Sequence, residues 1–170
     1  MELEITTEHR RLLSKLHASG ADIKQARAYA ELIVKKNWFK MPWSRGKQYF
    51  HQSAYVTALI VSYARPFAQG RNGYTFPRRL VPYDDTEWTI HERLLEQRNK
   101  IYAHSDLEKW NIRPWKSGNF DTVIIGQPAH YISREDIDVF IPMTSNIMSA
   151  IALRYSEILQ EYGSGTNIYF

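Results

Sequence analysis

The chain has 170 residues, 44% of them hydrophobic and 14% aromatic, and carries 22 Lys and Arg against 18 Asp and Glu for a formal charge of +4. Against the ~100–200 residues of a typical domain, this is one domain with enough apolar matter for a real core, and the composition excludes intrinsic disorder. The absence of cysteine excludes disulfides, thiolate catalysis and cysteine-bound zinc, and suits a reducing cytoplasm.

The start, Met1-Glu2-Leu3-Glu4, is acidic and leads into no apolar stretch of secretory type. The longest apolar patch, 54–61, is broken by Thr57 and is too short to span a bilayer. The expectation is therefore a cytoplasmic protein with no membrane partner. No repeat or low-complexity tract interrupts the chain.

Helical periodicity dominates. A first helix is predicted over 7–18, with Leu12, Leu13 and Leu16 on one face and Ser19-Gly20 as its stop. A second opens at the N-cap residue Asp22, carries Ile23, Ala26, Ala30, Ile33 and Val34, and fails before Pro42, because a residue preceding proline leaves helical geometry. A third follows Ser44, with Phe50, Ala54, Thr57, Ile60 and Val61 as its apolar stripe and Pro66 as its end.

The Gly- and Pro-punctuated stretch 69–83 reads as loop. Asp84 and Asp85 offer caps for a fourth helix reaching about residue 103, with Ile90, Leu94 and Ile101 in line and Trp88 and Leu95 beside them. The segment 109–131 breaks the pattern, and the β-prone Val123-Ile124-Ile125 suggests either a short β-hairpin near 112–126 or an extended excursion. A last helix opens at Ser133 with Asp136 three residues on, and has a long apolar face from Ile137 to Leu159. Pro142 within it should kink the helix or delay its start. Gly163-Ser164-Gly165 should close the helix. The fold class is all-α: an antiparallel bundle of about five helices forming one domain, 1–163, with a loose tail, 164–170.

Two basic groups carry aromatic residues. Lys35, Lys36, Lys40, Arg45 and Lys47 surround Trp38, Phe39 and Trp43, while Arg71, Arg78 and Arg79 accompany Tyr74 and Phe76. Such mixtures can hold phosphates and stack bases; they are equally an ordinary solvated helix end with an aromatic anchor. Lys36, Arg45 and Lys47, with Lys100, are the candidate RNA contacts. The six histidines show no His-Glu-x-x-His spacing, and no phosphate-binding glycine loop or nucleophile elbow is present. No metal or cofactor is expected.

The remaining chemical signal is the end of the fourth helix, Arg98-Asn99-Lys100-Ile101-Tyr102-Ala103-His104-Ser105-Asp106. His104 titrates near neutral pH and can exchange a proton with a ribose hydroxyl. Arg98 is a permanent, forked cation suited to a phosphate gaining charge in a transition state. Asn99 can orient the phosphate or the imidazole, and Asp106 can fix the imidazole tautomer. The plainer alternative is that Arg98 pairs with a carboxylate such as Glu96 or Glu92 of a neighbour, or caps carbonyls, while His104 answers the helix dipole.

This block resembles the signature of the HEPN superfamily, and most closely its abortive-infection branch, in which Arg-Asp/Asn-Lys-x-x-Ala-His-x-Asp is typical. The resemblance implies a metal-independent endoribonuclease, a toxin or antiphage effector, with Arg98, Asn99 and His104 catalytic and Asp106 orienting. The alternative is a non-catalytic dimer that binds RNA or a partner such as an antitoxin protein. On a regular helix, residues six apart point ~120° away from each other and lie ~9 Å apart along the axis. Arg98 and His104 then meet by a break in the helix or across a two-fold axis. Relatives in this superfamily commonly pair motif against motif, so a homodimer is expected.

Overall fold

The computed structural model describes residues 5–39, 47–68, 75–99, 111–118, 120–126 and 131–162. The fold is all-α, with four long helices among the described residues: α1 Thr7–Lys35, α2 Lys47–Ala64, α3 Asp85–Gln97 and α4 Arg134–Gln160. A hairpin, β1 Asn111–Ser117 and β2 Phe120–Gly126, lies in the sequence between α3 and α4. Four helices rather than five result because the first two predicted helices are one.

The reason is phase. Leu12, Leu16, Ser19, Ile23, Ala26, Ala30 and Ile33 are all buried on α1, at alternating spacings of four and three. That seam runs through Ser19-Gly20 without a slip, so burial on both sides overrides the local weakness of a glycine, worth about 1 kcal/mol relative to alanine. The helix stops instead at Asn37, whose φ of 50° places it in the left-handed region. The amide of Asn37 donates to the Val34 carbonyl at 3.0 Å and that of Trp38 to the Ile33 carbonyl at 3.0 Å, a Schellman closure well before Pro42.

Cross-links fix the directions of packing. Tyr162, just past α4, accepts from the Thr6 amide at 3.2 Å and meets His9 Nδ1 at 2.6 Å, so the end of α4 lies at the start of α1. Arg27 of α1 reaches Ser145 of α4. Arg65, just past α2, pairs with Asp22 of α1 at 3.3 Å, and Trp38 stacks on His51 at 6.2 Å. Arg93 pairs with Asp136, and Asn146 donates to Glu87 at 2.9 Å, joining α3 to α4. Each of these pairs runs antiparallel, and with the Tyr63–His91 contact between α2 and α3 at 2.7 Å the four helices close into a ring around one core.

The buried face of α2 differs from the predicted stripe. Gln52, Val56, Leu59, Ile60 and Tyr63 point inward, while Phe50 is 74% exposed. The helix is apolar around most of its circumference, so periodicity alone could not choose between neighbouring faces. At the end of α2 the expectation holds, since Ala64 leads into a 3-10 turn, Arg65–Phe67, that carries Pro66.

The Ser133 cap of α4 is also as expected, its hydroxyl accepting from the Asp136 amide at 3.0 Å. Pro142 does not delay the start of that helix, which runs continuously through it with the proline exposed. The hydroxyl of Thr144 donates to the nearby Ile141 carbonyl at 2.6 Å.

By length and composition α4 would suffice to cross a membrane, and a third of its most apolar stretch is buried in the bundle. The hairpin pairs Asn111 with Gly126 through Ser117 with Phe120, and Gly118, at φ 57°, opens its two-residue turn. The glycine run 163–165 and the tail 164–170 lie outside the described residues.

Candidate functional site

Helix α3 carries the site. Asp84 caps its N-terminus by accepting from the Glu87 amide at 2.8 Å, and Glu87 returns a bond from the Asp84 amide at 3.1 Å. This capping box sets the register for everything downstream. Glu87, Ile90, His91 and Leu94 then fall on the buried face, while Trp88, Glu92 and Leu95 stand along its flank.

The helix delivers Arg98 and Asn99 into a wider, π-type turn at its end. Arg98 is half-buried and its Nη1 donates to Asn99 Oδ1 at 3.0 Å. Among the described residues Arg98 forms no ion pair. Of the predicted catalytic group, Arg98 and Asn99 are therefore adjacent and joined. Lys100, His104 and Asp106 lie outside the described residues.

Of the candidate RNA contacts, two are among the described residues. Lys36 is exposed at the end of α1, Lys47 is the first residue of α2, and Arg45 lies outside the described residues. The two described aromatic members of that group are committed elsewhere. Trp38 packs on His51 and Tyr55, and Phe39 lies under the Arg134 guanidinium at 5.5 Å.

Sequence reasoning missed the polar cluster on the inner side of α3. His91 is 5% exposed, and four aromatic rings surround it edge-on: Phe67 at 4.6 Å, Trp88 at 5.0 Å, Tyr83 at 5.6 Å and Tyr63 at 5.8 Å. Its Nδ1 lies 2.7 Å from the Tyr63 hydroxyl, which donates to the Tyr83 hydroxyl at 3.2 Å. The neutral imidazole carries its one proton on either Nδ1 or Nε2, and the Tyr63 hydroxyl pairs with Nδ1 in both forms.

Burial, reinforced by the Arg78 cation, holds the His91 pKa down at about 4, so the ring is neutral at physiological pH. Burial also pushes the hydroxyls of Tyr63 and Tyr83 up, with Glu87 adding to both, so both stay protonated. The signal was present in the sequence: Glu87, Ile90, His91 and Leu94 repeat at helical spacing, which puts a histidine and a glutamate on the inward stripe.

Beside this cluster is a cavity of about 270 Å³ lined by Phe67, Phe76, Arg78, Trp88, His91 and Glu92, with Thr75, Val81 and Leu95 completing the wall. The loop before α3 forms one side because Phe76 is buried, its amide donating to the Pro66 carbonyl at 2.9 Å. Arg78 lies over the Trp88 ring at 4.8 Å. Among the described residues neither Arg78 nor Glu92 has an ion-pair partner, and no group of three or more His, Asp and Glu side chains could hold a metal ion.

Comparison of the chain with family models, with curated proteins and with solved structures returns no match.

Proposed function

We propose that this protein is a cytoplasmic endoribonuclease of HEPN type, a toxin or antiphage effector that works as a homodimer. The observation that carries the proposal is the Arg98-Asn99-Lys100-Ile101-Tyr102-Ala103-His104-Ser105-Asp106 block at the end of a capped bundle helix. Among the described residues its first cation is engaged by a neutral neighbour and by no carboxylate, which supports a role for Arg98 in holding an anion.

In this reading Arg98 binds the scissile phosphate, and His104 takes the proton of the ribose 2′-hydroxyl as that oxygen attacks phosphorus. The P–O5′ bond breaks, and the leaving oxygen receives a proton from an imidazolium, that of His104 or of its symmetry mate. The products are a 2′,3′-cyclic phosphate and a 5′-hydroxyl. Asp106 holds the imidazole tautomer, and Asn99 and Lys100 steady the backbone of the RNA.

The test is to incubate purified protein with transfer RNA in EDTA and to map the product ends. Cyclic-phosphate ends are expected, with Arg98→Ala and His104→Ala each slowing cleavage by about 10²–10⁴, the usual contribution of a positioned acid–base group. If wild type and His104→Ala are equally inert across diverse RNAs, catalysis is withdrawn and a dimer that binds RNA or a partner protein is the reading left.

A further inference from the structure

The cavity beside α3 combines features that together suit one kind of ligand. Its walls are aromatic, from Phe67, Phe76 and Trp88. At its inner end His91 is buried and has Nδ1 taken up by Tyr63, so the ring nitrogen left for an occupant is Nε2. At its rim are a cation and an anion, Arg78 and Glu92, that have no ion-pair partners among the described residues. An ionised carboxylate such as that of Glu92 accepts hydrogen bonds and cannot donate them.

We infer that this cavity is a binding site for a single nucleotide whose base presents N–H donors, with guanine as the best match. The base lies in the aromatic slot, as bases do on π-faces of any sequence. Its N1–H and exocyclic amino group are two parallel donors that fit the two oxygens of Glu92. Arg78, with Arg79 beside it on the same 3-10 turn, takes the phosphate. Adenine, cytosine and uracil each lack that pair of adjacent donors.

The location gives the site a role in RNA cleavage, a role that rests on the nuclease reading above. Arg98 is seven residues beyond His91, so the two lie nearly in line on α3, ~10 Å apart along the axis. A base held at His91 would place its neighbouring phosphodiester toward the Arg98 turn. The cavity would then choose the nucleotide at which the chain is cut.

Binding can be measured without any cleavage, using nucleoside 5′-monophosphates, which have no internucleotide bond. Isothermal titration of the full chain with guanosine 5′-monophosphate should give one saturable site per protomer. The adenosine, cytidine and uridine counterparts should bind at least tenfold more weakly. Arg78→Ala should weaken guanosine monophosphate tenfold and flatten its dependence on salt, and Glu92→Gln should erase the preference among bases. Both side chains are exposed, and an unchanged circular dichroism spectrum would certify their fold.

Absence of saturable binding by all four nucleotides, equal binding of all four, or affinity indifferent to both substitutions would each overturn the inference. Because the ligands are uncleavable, failure here leaves the nuclease assay untouched. Inert RNA assays alongside selective nucleotide binding would remove the nuclease alone.

Discussion

The burial of His91 makes the stability of the fold depend on mild acid. An unfolded histidine titrates near 6.5, whereas the folded imidazole holds out until about 4. Below pH 6.5 the unfolded chain therefore binds a proton that the folded chain refuses, and stability falls as the pH is lowered. The contribution is fully present above about pH 7, is lost progressively between 6.5 and 4, and levels off below. With those two values the loss is ~2 kcal/mol between pH 7 and pH 5 and ~3 kcal/mol by pH 4.

The groups that face the ring are Tyr63 from α2, Tyr83 and Arg78 from the preceding loop, and Glu87 from its own helix. None of them offers it a close counter-ion, since Glu87 is occupied by Asn146 and by the Asp84 amide. Urea unfolding of wild type and His91→Phe, followed by far-ultraviolet circular dichroism at pH 7, 6 and 5, isolates the effect, because the carboxylates contribute equally to both proteins. The variant should begin about 1 kcal/mol less stable, having lost the Tyr63 hydrogen bond. Wild type should then lose ~2 kcal/mol more than the variant by pH 5. Parallel pH profiles would refute the reasoning, and with it the view that the ring is neutral.

Three stability changes follow from the helices. Gly20→Ala should stabilise the protein by about 0.5–1 kcal/mol, since the added methyl would meet Ile151 and Met148 at an ordinary 4.0 Å; a lower urea midpoint would show hidden crowding. Ser19→Ala should add about 1 kcal/mol, because its buried Oγ has no hydrogen-bond partner; unchanged stability would mean the hydroxyl is solvated. Asp84→Ala should cost about 1 kcal/mol by opening the capping box of α3, read as a fall in melting temperature.

Much of the bundle was legible in the sequence, and its errors have definite causes. The caps at Asp84 and Ser133 and the hairpin near 112–126 were read correctly because each depends on a short pattern of its own: an oxygen accepting from an amide three residues on, or a β-prone run ending in a turn. The false stop at Ser19-Gly20 came from weighing two weak helix formers above a seam of seven buried positions. Only the partner helix makes that seam valuable, through Tyr162, Ser145 and Ile151 of the α4 side. The misplaced face of α2 has the opposite origin. Too many positions there are apolar, and the choice between Phe50 and Val56 is made by α1, through Tyr29 and Trp38 packing on Tyr55.

The candidate site divides along a similar line. A block such as Arg98-Asn99 followed by His104 is legible as a string, because its chemistry resides in residue identity and close spacing. The cavity is not, because it joins Phe67 at the end of α2, Phe76 and Arg78 on a loop, and Trp88, His91 and Glu92 on α3. No spacing rule links those three segments. What does link them is the capped register of α3, which turns His91 inward against Tyr63 and leaves Glu92 outward on the flank of the same helix.

A shift of that register by one residue would carry Glu92 into the place of His91, putting a carboxylate among aromatic rings, and His91 into the place of the buried Ile90. The energetic penalty on a buried, unpaired carboxylate makes such a slip prohibitive. The Asp84–Glu87 box and the Glu87–Asn146 bond therefore do more than hold a helix end. They fix which side chain faces the cavity, and by the same rotation they fix the direction in which Arg98 leaves the bundle.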